Sequence, residues 1–140
     1  MSAALAPTPP RWFIVDDESL ILSLAEQILR RFSDADVRAC ADPCEALGRI
    51  TAAPAGLELL VTDLNMPGMN GLELARRVRM VAPHAKVLLI TGNPLALPDE
   101  RTLRSQDVDF LLPKPFRIHE LMAGVRRLCG AASLRPFVAG

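Results

Sequence analysis

Short apolar runs and amphipathic stretches alternate five times along this chain, and this alternation limits the folds that it can adopt. The apolar runs predict strands at 11–15, 37–41, 57–62, 86–91 and 109–113, and the amphipathic stretches predict helices at 18–32, 43–50, 71–81, 99–106 and 117–129. Strands that alternate with helices form parallel sheets, because parallel strands need a crossover connection. The pattern therefore predicts an α/β protein with a doubly wound five-stranded parallel sheet and five helices.

Local signals support several of these helices. Asp42 and Pro43 stand at the N-cap and first position of the second helix, and Pro83 follows the end of the third. The helix at 99–106 is short and charged, and has the weakest support. The first and last helices have apolar stripes that we expect to face the core: Ile21, Leu24, Ala25, Ile28 and Phe32 in one, and Ile118, Leu121, Met122, Val125 and Leu128 in the other.

Composition excludes several classes of protein. The 140 residues suit one domain, and 16 basic residues balance 16 acidic ones, so no charge pattern indicates binding to nucleic acid or to an anionic membrane. No apolar run reaches the roughly 18 residues of a membrane span. The proline-rich start lacks the basic region of a secretory signal. We expect a cytoplasmic protein with a disordered lead at 1–10, one domain at 11–129 and a tail at 130–140.

The three cysteines, Cys40, Cys44 and Cys129, form an odd set in a chain without an export signal. This favours reduced thiols in a reducing compartment. Cys40 and Cys44 lack the C-x-x-C spacing and a nearby histidine, so a redox or metal pair is the less favoured interpretation.

Polar residues stand where the predicted strands end. Asp16 and Asp17 follow the first strand, Asp63 the third and Lys114 the fifth, while Thr91 ends the fourth. The carboxyl ends of strands in such a sheet meet at one edge, where ligands bind. Three carboxylates raise one another's proton affinity unless a cation neutralises them, and an all-oxygen set completed by water suits Mg²⁺. Solvated acids that merely cap helices are the alternative, but the convergence of five groups favours a site.

The same five residues supply the parts that phosphoryl transfer needs. Lys114 can pair with an oxyanion, Thr91 can donate a hydroxyl hydrogen bond, and a metal ion can neutralise phosphoryl oxygens. A carboxylate can carry the phosphoryl group as an aspartyl phosphate. Asp63 is the best candidate for that nucleophile.

Four motifs occur in a specific order: "VDDE" at 15–18, "VTDLNMPGMNG" at 61–71, "LLITG" at 88–92 and "LPKPF" at 112–116. With them the chain resembles the response-regulator receiver family of two-component signalling over roughly residues 12–129. The resemblance implies the receiver fold, which is flavodoxin-like and has the strand order 2-1-3-4-5.

The resemblance also implies a role for each site residue. Asp63 would be the phosphoacceptor, Thr91 and Lys114 would bind the phosphoryl oxygens, and the peptide bond between Lys114 and Pro115 would be cis. Mg²⁺ would be the cofactor. Its implied ligands are Asp16 through water, Asp17 directly, Asp63, and the main-chain carbonyl oxygen of Asn65.

The implied partners are a sensor histidine kinase or a histidine phosphotransfer protein, and a downstream protein target. By this resemblance the chain would catalyse only its own phosphorylation and dephosphorylation, and would not be an enzyme in the wider sense. Only "GAASLRPFVAG" follows the last predicted helix, so we expect output by docking to a partner. A phosphate shuttle or sink in a phosphorelay is the alternative, and a phosphorylation-dependent dimer is a further option.

We expect the output face to combine residues 99–106 and 109–113 with the outer side of the last helix, including Arg117, Arg126 and Arg127. A solvated helix face is the alternative interpretation of these arginines. We also expect the segment after Thr91 to have low local stability.

The chain departs from the family at one position. The family usually carries an aromatic residue three positions before the lysine, and that position is Leu111 here, while Phe110 precedes it. Successive strand residues face opposite sides of a sheet, so Phe110 should point away from the switch position unless a bulge reorients it. We favour Leu111 as an ordinary packed residue.

Two rival classes are disfavoured. A Mg²⁺-dependent phosphohydrolase of the haloacid-dehalogenase type also uses an aspartyl nucleophile, but needs a second aspartate where this chain has Asn65. A flavodoxin-like nucleotide-binding module needs a small-residue turn after the first strand, whereas this chain has Asp16, Asp17 and Glu18 there.

Overall fold

Five parallel strands form the centre of the computed structural model, which describes residues 8–93, 99, 103 and 107–136. Their order is β2-β1-β3-β4-β5, and every neighbouring pair is parallel, which confirms the predicted doubly wound sheet. The strands are β1 (Arg11–Val15), β2 (Asp36–Cys40), β3 (Leu57–Asp63), β4 (Lys86–Thr91) and β5 (Phe110–Pro113).

Four helices lie within the described residues: α1 (Ser19–Arg31), α2 (Pro43–Ala52), α3 (Gly71–Val81) and α4 (Ile118–Cys129). The fifth predicted helix, at 99–106, lies outside the described residues except for Asp99 and Leu103. The Leu103 amide donates to the Asp99 carbonyl at 2.9 Å, which is the spacing of an α-helical hydrogen bond. None of the helices in the described ranges has both the length and the apolar character needed to cross a bilayer.

Most predicted boundaries agree with the observed ones, and the differences have local causes. Strand β2 begins at Asp36, one residue earlier than predicted, because the Asp36 amide donates to the Pro10 carbonyl at 2.8 Å beside β1. Helix α2 starts at Pro43 as predicted, with the Asp42 carboxylate capping it, but continues to Ala52. Boundaries of this kind depend on partners that a sequence pattern does not reveal.

The sheet is covered on both faces, as the continuous apolar strands predict. Alternate residues of the central strands face opposite layers, and burial of each large apolar side chain contributes roughly 1.5–3 kcal/mol. Helices α2 and α3 supply Ala46, Ile50, Leu74, Ala75 and Val78 to one layer, and α1 and α4 supply Ala25, Ile28, Leu29, Leu121, Met122 and Val125 to the other.

Two residues of the predicted helix stripes are exposed to solvent. Leu24 of α1 is 44% exposed and Ile118 at the start of α4 is 39% exposed. The buried side of α1 is centred on Ala25, Ile28 and Leu29, and Leu24 lies about 100° around the helix from Ala25, at the edge of that side. The prediction for Leu24 and Ile118 was therefore wrong.

The chain after α4 returns to the end of α1. The Asp34 amide donates to the Ser133 carbonyl and the Arg135 amide to the Phe32 carbonyl, each at 2.8 Å, around an antiparallel bridge between Ser33 and Leu134. Within the predicted tail, residues 133–135 are therefore bonded to the domain. The three cysteines are free thiols.

Candidate functional site

The predicted site residues come together at the carboxyl edge of the sheet. Asp16 directly follows β1, Asp63 is the last residue of β3, Thr91 ends β4 and Lys114 follows β5. Asp16, Asp63 and Thr91 are buried, with 2%, 4% and 0% of their surfaces exposed. Burying a carboxylate or a hydroxyl lowers stability unless the group has a hydrogen-bonding or charged partner. Packing alone therefore does not explain why these three polar residues are buried here.

Three carboxylates form the centre of the site. Asp16, Asp17 and Asp63 each offer an oxygen, and these oxygens lie within 4.8 Å of one another. Asp16 Oδ1 accepts a hydrogen bond from the Glu18 amide at 2.9 Å, but the buried Asp16 Oδ2 receives no hydrogen bond. Asp17 is exposed and forms the open side of the cluster.

The donor chemistry of this cluster fits a magnesium ion. All the ligands available from the three aspartates are oxygens, which hard cations prefer, and the exposed side leaves room for the waters that Mg²⁺ keeps. A cation would also neutralise the unbonded Oδ2 of Asp16. The role of the Asn65 carbonyl oxygen as a ligand stays a prediction.

One ammonium group faces these carboxylates. Lys114 Nζ lies 3.1 Å from Asp63 Oδ1, 3.4 Å from Asp16 Oδ2 and 3.0 Å from Glu18 Oε1. Its backbone is positioned by β5, because the Lys114 amide donates to the Thr91 carbonyl at 2.7 Å. The peptide bond between Lys114 and Pro115 is cis, as the family resemblance implies.

Burial and charge shift the proton affinities of all three groups. Burial raises the pKa of Asp63, against the opposing effect of the Lys114 ammonium. Burial also raises the pKa of Asp16, and the Asp63 charge adds to the increase. Burial lowers the pKa of Lys114, but its hydrogen bonds to Glu18 and Asp63 outweigh that effect and leave the pKa above its ordinary value. The pKa values of Asp16 and Asp63 are raised even with Lys114 present, so one ammonium group does not fully compensate the negative charge of the cluster.

Thr91 is positioned beside Asp63. Ile90 pairs with Asp63 across the sheet, and Thr91 follows it at the end of β4. The Thr91 hydroxyl oxygen accepts a hydrogen bond from the Asn93 amide at 3.1 Å, which leaves its proton free to be donated. A hydroxyl at this edge can donate to an oxygen of a group carried by Asp63.

Gly71 explains part of the glycine-rich motif that follows Asp63. Its amide donates to the Leu64 carbonyl at 2.8 Å, where α3 begins. A Cβ atom at Gly71 would lie 2.2 Å from the carbonyl oxygen of Asp63, so a side chain cannot fit without a backbone shift. The glycine lets α3 start directly against the strand end that carries the candidate nucleophile.

The sequence interpretation missed Glu18 as a member of the site. Glu18 is the N-cap residue of α1, but its side chain makes no capping hydrogen bond and contacts Lys114 instead. The third acid in "DDE" was the available signal. Its contact depends on the reach of a side chain across two strand ends, which sequence spacing does not give.

Phe110 and Leu111 of β5 occupy opposite faces of the sheet, as predicted. Phe110 packs in the layer of α1 and α4, and Leu111 in the layer of α2 and α3. Phe110 pairs with Leu88 and Leu111 with Leu89 in unbroken register, so the alternative of a bulge is wrong. Leu111 is an ordinary packed residue at the position where the family usually has an aromatic one.

This arrangement defines a class of protein: a doubly wound α/β domain with a carboxylate cluster and one lysine at the carboxyl edge of its sheet. Comparison with protein families gives the particular family. Residues 12–126 match the family described as "Response regulator receiver domain". The chain belongs to this family of two-component signalling domains.

Several curated relatives share this similarity. The transcriptional regulatory protein TrcR of Mycobacterium tuberculosis is 31% identical over 126 residues, which are 90% of this chain and 48% of TrcR. The response regulator receiver protein CpdR of Brucella abortus is 41% identical over 76 residues, covering 53% of this chain and 61% of CpdR. The chain spans about half or less of the length of TrcR and of the regulator DctD of Rhizobium meliloti.

Solved structures agree with the fold. A receiver domain protein from Clostridium thermocellum has a TM-score of 0.75 and 22% identity, over 85% of this chain and 93% of the other. The chemotaxis protein CheY4 of Vibrio cholerae has a TM-score of 0.73 and 24% identity, over 86% of this chain and 98% of the other. At these identities the similarity establishes the fold alone.

Proposed function

We propose that this chain is a phosphoacceptor receiver and that Asp63 takes a phosphoryl group in a Mg²⁺-dependent reaction. The observation that carries the proposal is the contact of the buried Asp63 carboxylate with Lys114 Nζ at 3.1 Å, inside a cluster of three aspartates. A structural ion pair would need one acid for one base. Here the excess of carboxylates leaves a place for a cation and for the oxyanion that Lys114 can bind.

The reaction follows from the chemistry of these groups. An oxygen of ionised Asp63 attacks phosphorus, the bond to the donor's nitrogen or oxygen breaks, and the leaving group takes the bonding pair. Lys114 and the Thr91 hydroxyl bind the oxygens of the transferred group. A bound Mg²⁺ ion, held by Asp16, Asp17 and Asp63, would supply charge neutralisation. The main-chain carbonyl of Asn65 is the further ligand that we propose.

The phosphoryl donor docks, in this proposal, on the first turns of α1. Leu20 is 84% exposed and Leu24 is 44% exposed, one turn apart and directly after the acidic loop that ends at Glu18. Large exposed apolar side chains beside a reactive group favour a protein surface as the partner. We propose a sensor histidine kinase or a histidine phosphotransfer protein, and a cytoplasmic location for the encounter.

The output face is the second part of the proposal. Arg117, Arg126 and Arg127 are exposed: Arg117 lies at the start of α4, three residues after Lys114, and the other two lie in its last turn. Phosphorylation would alter the position of Lys114 and so the start of α4. A downstream protein or a second copy of the chain would read this change, and transfer of the phosphoryl group in a phosphorelay is the alternative output. Of the segment 99–106 in this proposed face, only Asp99 and Leu103 are described.

Intact-mass measurement after incubation with acetyl phosphate and Mg²⁺ tests the assignment. The wild-type chain should gain one phosphoryl group, and the Asp63→Asn variant should gain none. Asp109→Asn is the matched control, because Asp109 is a second ion-paired aspartate, 27% exposed, at the opposite edge of the sheet. An adduct of equal yield in Asp63→Asn would contradict the proposal, as would an adduct that survives chelation of the metal before the donor is added.

A further inference from the structure

Lys114 is held by a third carboxylate that lies outside the buried pair. The distance from Nζ to Glu18 Oε1 is 3.0 Å, and those to Asp63 and Asp16 are 3.1 and 3.4 Å. The Glu18 side chain is 60% exposed, whereas those of Asp16 and Asp63 are 3% and 5% exposed. Glu18 therefore closes over the lysine from the solvent side.

We propose that Glu18 is a positioning residue that tethers Lys114 in the unphosphorylated state and releases it when a phosphoryl group arrives. This inference rests on the proposed function of Asp63. The Glu18 side chain makes no capping hydrogen bond to α1, and although it is 60% exposed its Oε1 lies against the Lys114 ammonium at 3.0 Å.

The ammonium of Lys114 is shared among three carboxylates in the unphosphorylated state. Its three N–H groups face Glu18, Asp63 and Asp16, although Asp16 Oδ2, at 3.4 Å, accepts no hydrogen bond. A phosphoryl oxygen that binds Lys114 competes with these carboxylates for the ammonium. Displacing Asp16 or Asp63 would leave a buried charge with less compensation, whereas Glu18 can be solvated by water as it leaves. Glu18 is therefore the partner that yields.

Removing the tether should speed phosphorylation by a modest factor. An exposed ion pair has a small net stability, which corresponds to an effect of about two- to fivefold on a rate or an equilibrium. Loss of the negative charge alone would also speed the approach of an anionic donor. The variants must therefore separate the effect of the Glu18–Lys114 contact from the effect of the negative charge of Glu18.

The experiment compares Glu18→Gln, Glu18→Asp and wild type in the rate of adduct formation with subsaturating acetyl phosphate and Mg²⁺. The Asp variant keeps the charge but is one methylene shorter, so it loses the contact at 3.0 Å. We expect both variants to react about two- to fivefold faster than wild type. Glu26→Gln is the matched control, because it removes the same charge from an ion pair with Arg30 on the same helix. We expect it to react at the wild-type rate.

A second measurement reports on the lysine itself. The nuclear magnetic resonance signal of the Lys114 ammonium should shift in Glu18→Gln without any phosphoryl donor present, because the tether acts in the resting state. It should stay unchanged in Glu26→Gln. A purely structural role for Glu18 at the start of α1 would alter stability but not this signal.

Each outcome decides the inference. Equal rates for wild type and Glu18→Asp, with a faster Glu18→Gln, would show that only charge matters and would overturn the tether. An unshifted Lys114 signal would also overturn it. If the wild-type chain forms an adduct on Asp63 while the Glu18 variants match it, only this inference fails. If the wild-type chain forms no adduct, the proposed function fails and the inference fails with it.

Discussion

The two edges of the sheet each carry a charged cluster, but the clusters are built differently. At the amino edge, Asp109 Oδ2 accepts hydrogen bonds from Arg79 and from the Val87 amide, the latter at 2.9 Å. Arg79 also donates to the Ala85 carbonyl at 2.8 Å and lies 3.9 Å from Asp107. Arg79 and Asp109 therefore form a pair of one base with one acid, the more exposed Asp107 lies farther away, and main-chain groups complete the network.

At the carboxyl edge the acids outnumber the bases. One lysine faces Asp16, Asp63 and Glu18, with Asp17 close by, and one buried carboxylate oxygen has no hydrogen bond. A cluster with equal numbers of paired acids and bases stabilises the fold. A cluster with surplus negative charge lowers stability, which is typical of a site that binds a cation or another ligand. The comparison predicts that equivalent substitutions at the two edges have opposite effects on stability.

The largest effect should follow from Arg79→Ala at the amino edge. The side chains of Arg79 and Asp109 are only 23% and 27% exposed, so loss of the arginine leaves Asp109 partly buried without its cation. We expect the free energy of unfolding in urea to fall by about 2 kcal/mol, somewhat less than for a fully buried pair. Arg77→Ala is the control on the same helix, since its partner Glu73 is 43% exposed, and it should cost about 0.5 kcal/mol or less. Equal losses in the two variants would contradict the matched network.

The next effect concerns the metal. Asp17→Asn should weaken Mg²⁺ binding about tenfold or more in calorimetry, because a candidate direct ligand loses its charge. Glu18→Gln should weaken it much less, because Glu18 contacts Lys114 and is not one of the three clustered aspartates. Trp12 is fully buried in β1 and donates to Glu58 at 3.0 Å, so its fluorescence is a poor reporter and calorimetry is the better measurement. An unchanged Mg²⁺ affinity in Asp17→Asn would remove Asp17 from the site.

A smaller effect tests directly whether a charge at the carboxyl edge lowers the free energy of unfolding, as the comparison of the two edges predicts. Because burial raises the pKa of Asp63 above its ordinary value of 3.8, the folded chain binds a proton there more tightly than the unfolded chain. Ionised Asp63 therefore lowers stability, and this cost is absent below about pH 3.8 and grows as the pH rises through the folded-state pKa. Asp63→Asn should therefore raise the free energy of unfolding at pH 7.

The paired substitution sharpens this test. Asp109→Asn at the amino edge should lower the free energy of unfolding at pH 7, because it removes a matched charge from Arg79. The advantage of Asp63→Asn over wild type should disappear in urea unfolding near pH 3. Destabilisation by Asp63→Asn at pH 7 would show that Lys114 already compensates the carboxylates fully.

The fold was predictable because burial on two faces leaves a periodic record in the sequence. Strand β4 has an apolar residue at every position from Val87 to Ile90, and only a strand covered on both sides requires this. The position of Leu24 was not predictable in the same way. Its burial depends on how far α1 rotates against the sheet, and a stripe of apolar residues does not fix that rotation to within one residue.

The site was predictable to the same extent as the fold: its members could be grouped from the topology, but their individual contacts could not. Topology brings the ends of β1, β3, β4 and β5 together, so the aspartates, Thr91 and Lys114 could be grouped from their places in the chain. The contact of Glu18 with Lys114 joins residues 96 positions apart through side-chain reach. Contacts of that kind depend on rotamers and on competing partners, which no spacing rule contains.

The smallest expected effect lies where the signal leaves the carboxyl edge. Thr91 Oγ1 accepts from the Asn93 amide at 3.1 Å, and the Thr91 carbonyl accepts from the Lys114 amide at 2.7 Å. If the Thr91 hydroxyl turns to donate to a phosphoryl oxygen on Asp63, the bond to Asn93 lengthens and the following segment is released. Hydrogen exchange with Mg²⁺ and beryllofluoride, a phosphoryl mimic, should therefore change by a few fold at Asn93 and more widely within 91–118.

Variants at Thr91 separate this route from a general effect of ligand binding. Thr91→Ser keeps the hydroxyl and should reproduce the change in exchange, whereas Thr91→Ala removes both the donor and the acceptor, so beryllofluoride should leave exchange at Asn93 unaltered. The Leu64 amide, which donates to the Ile90 carbonyl at 2.9 Å beside Asp63, serves as the reference within the site. If hydrogen exchange changed only in residues 63–71 and stayed unchanged in 91–118, the proposed route through Thr91 would be wrong. The surplus carboxylates would then serve phosphorylation alone, and the output surface would lie on the other side of β3.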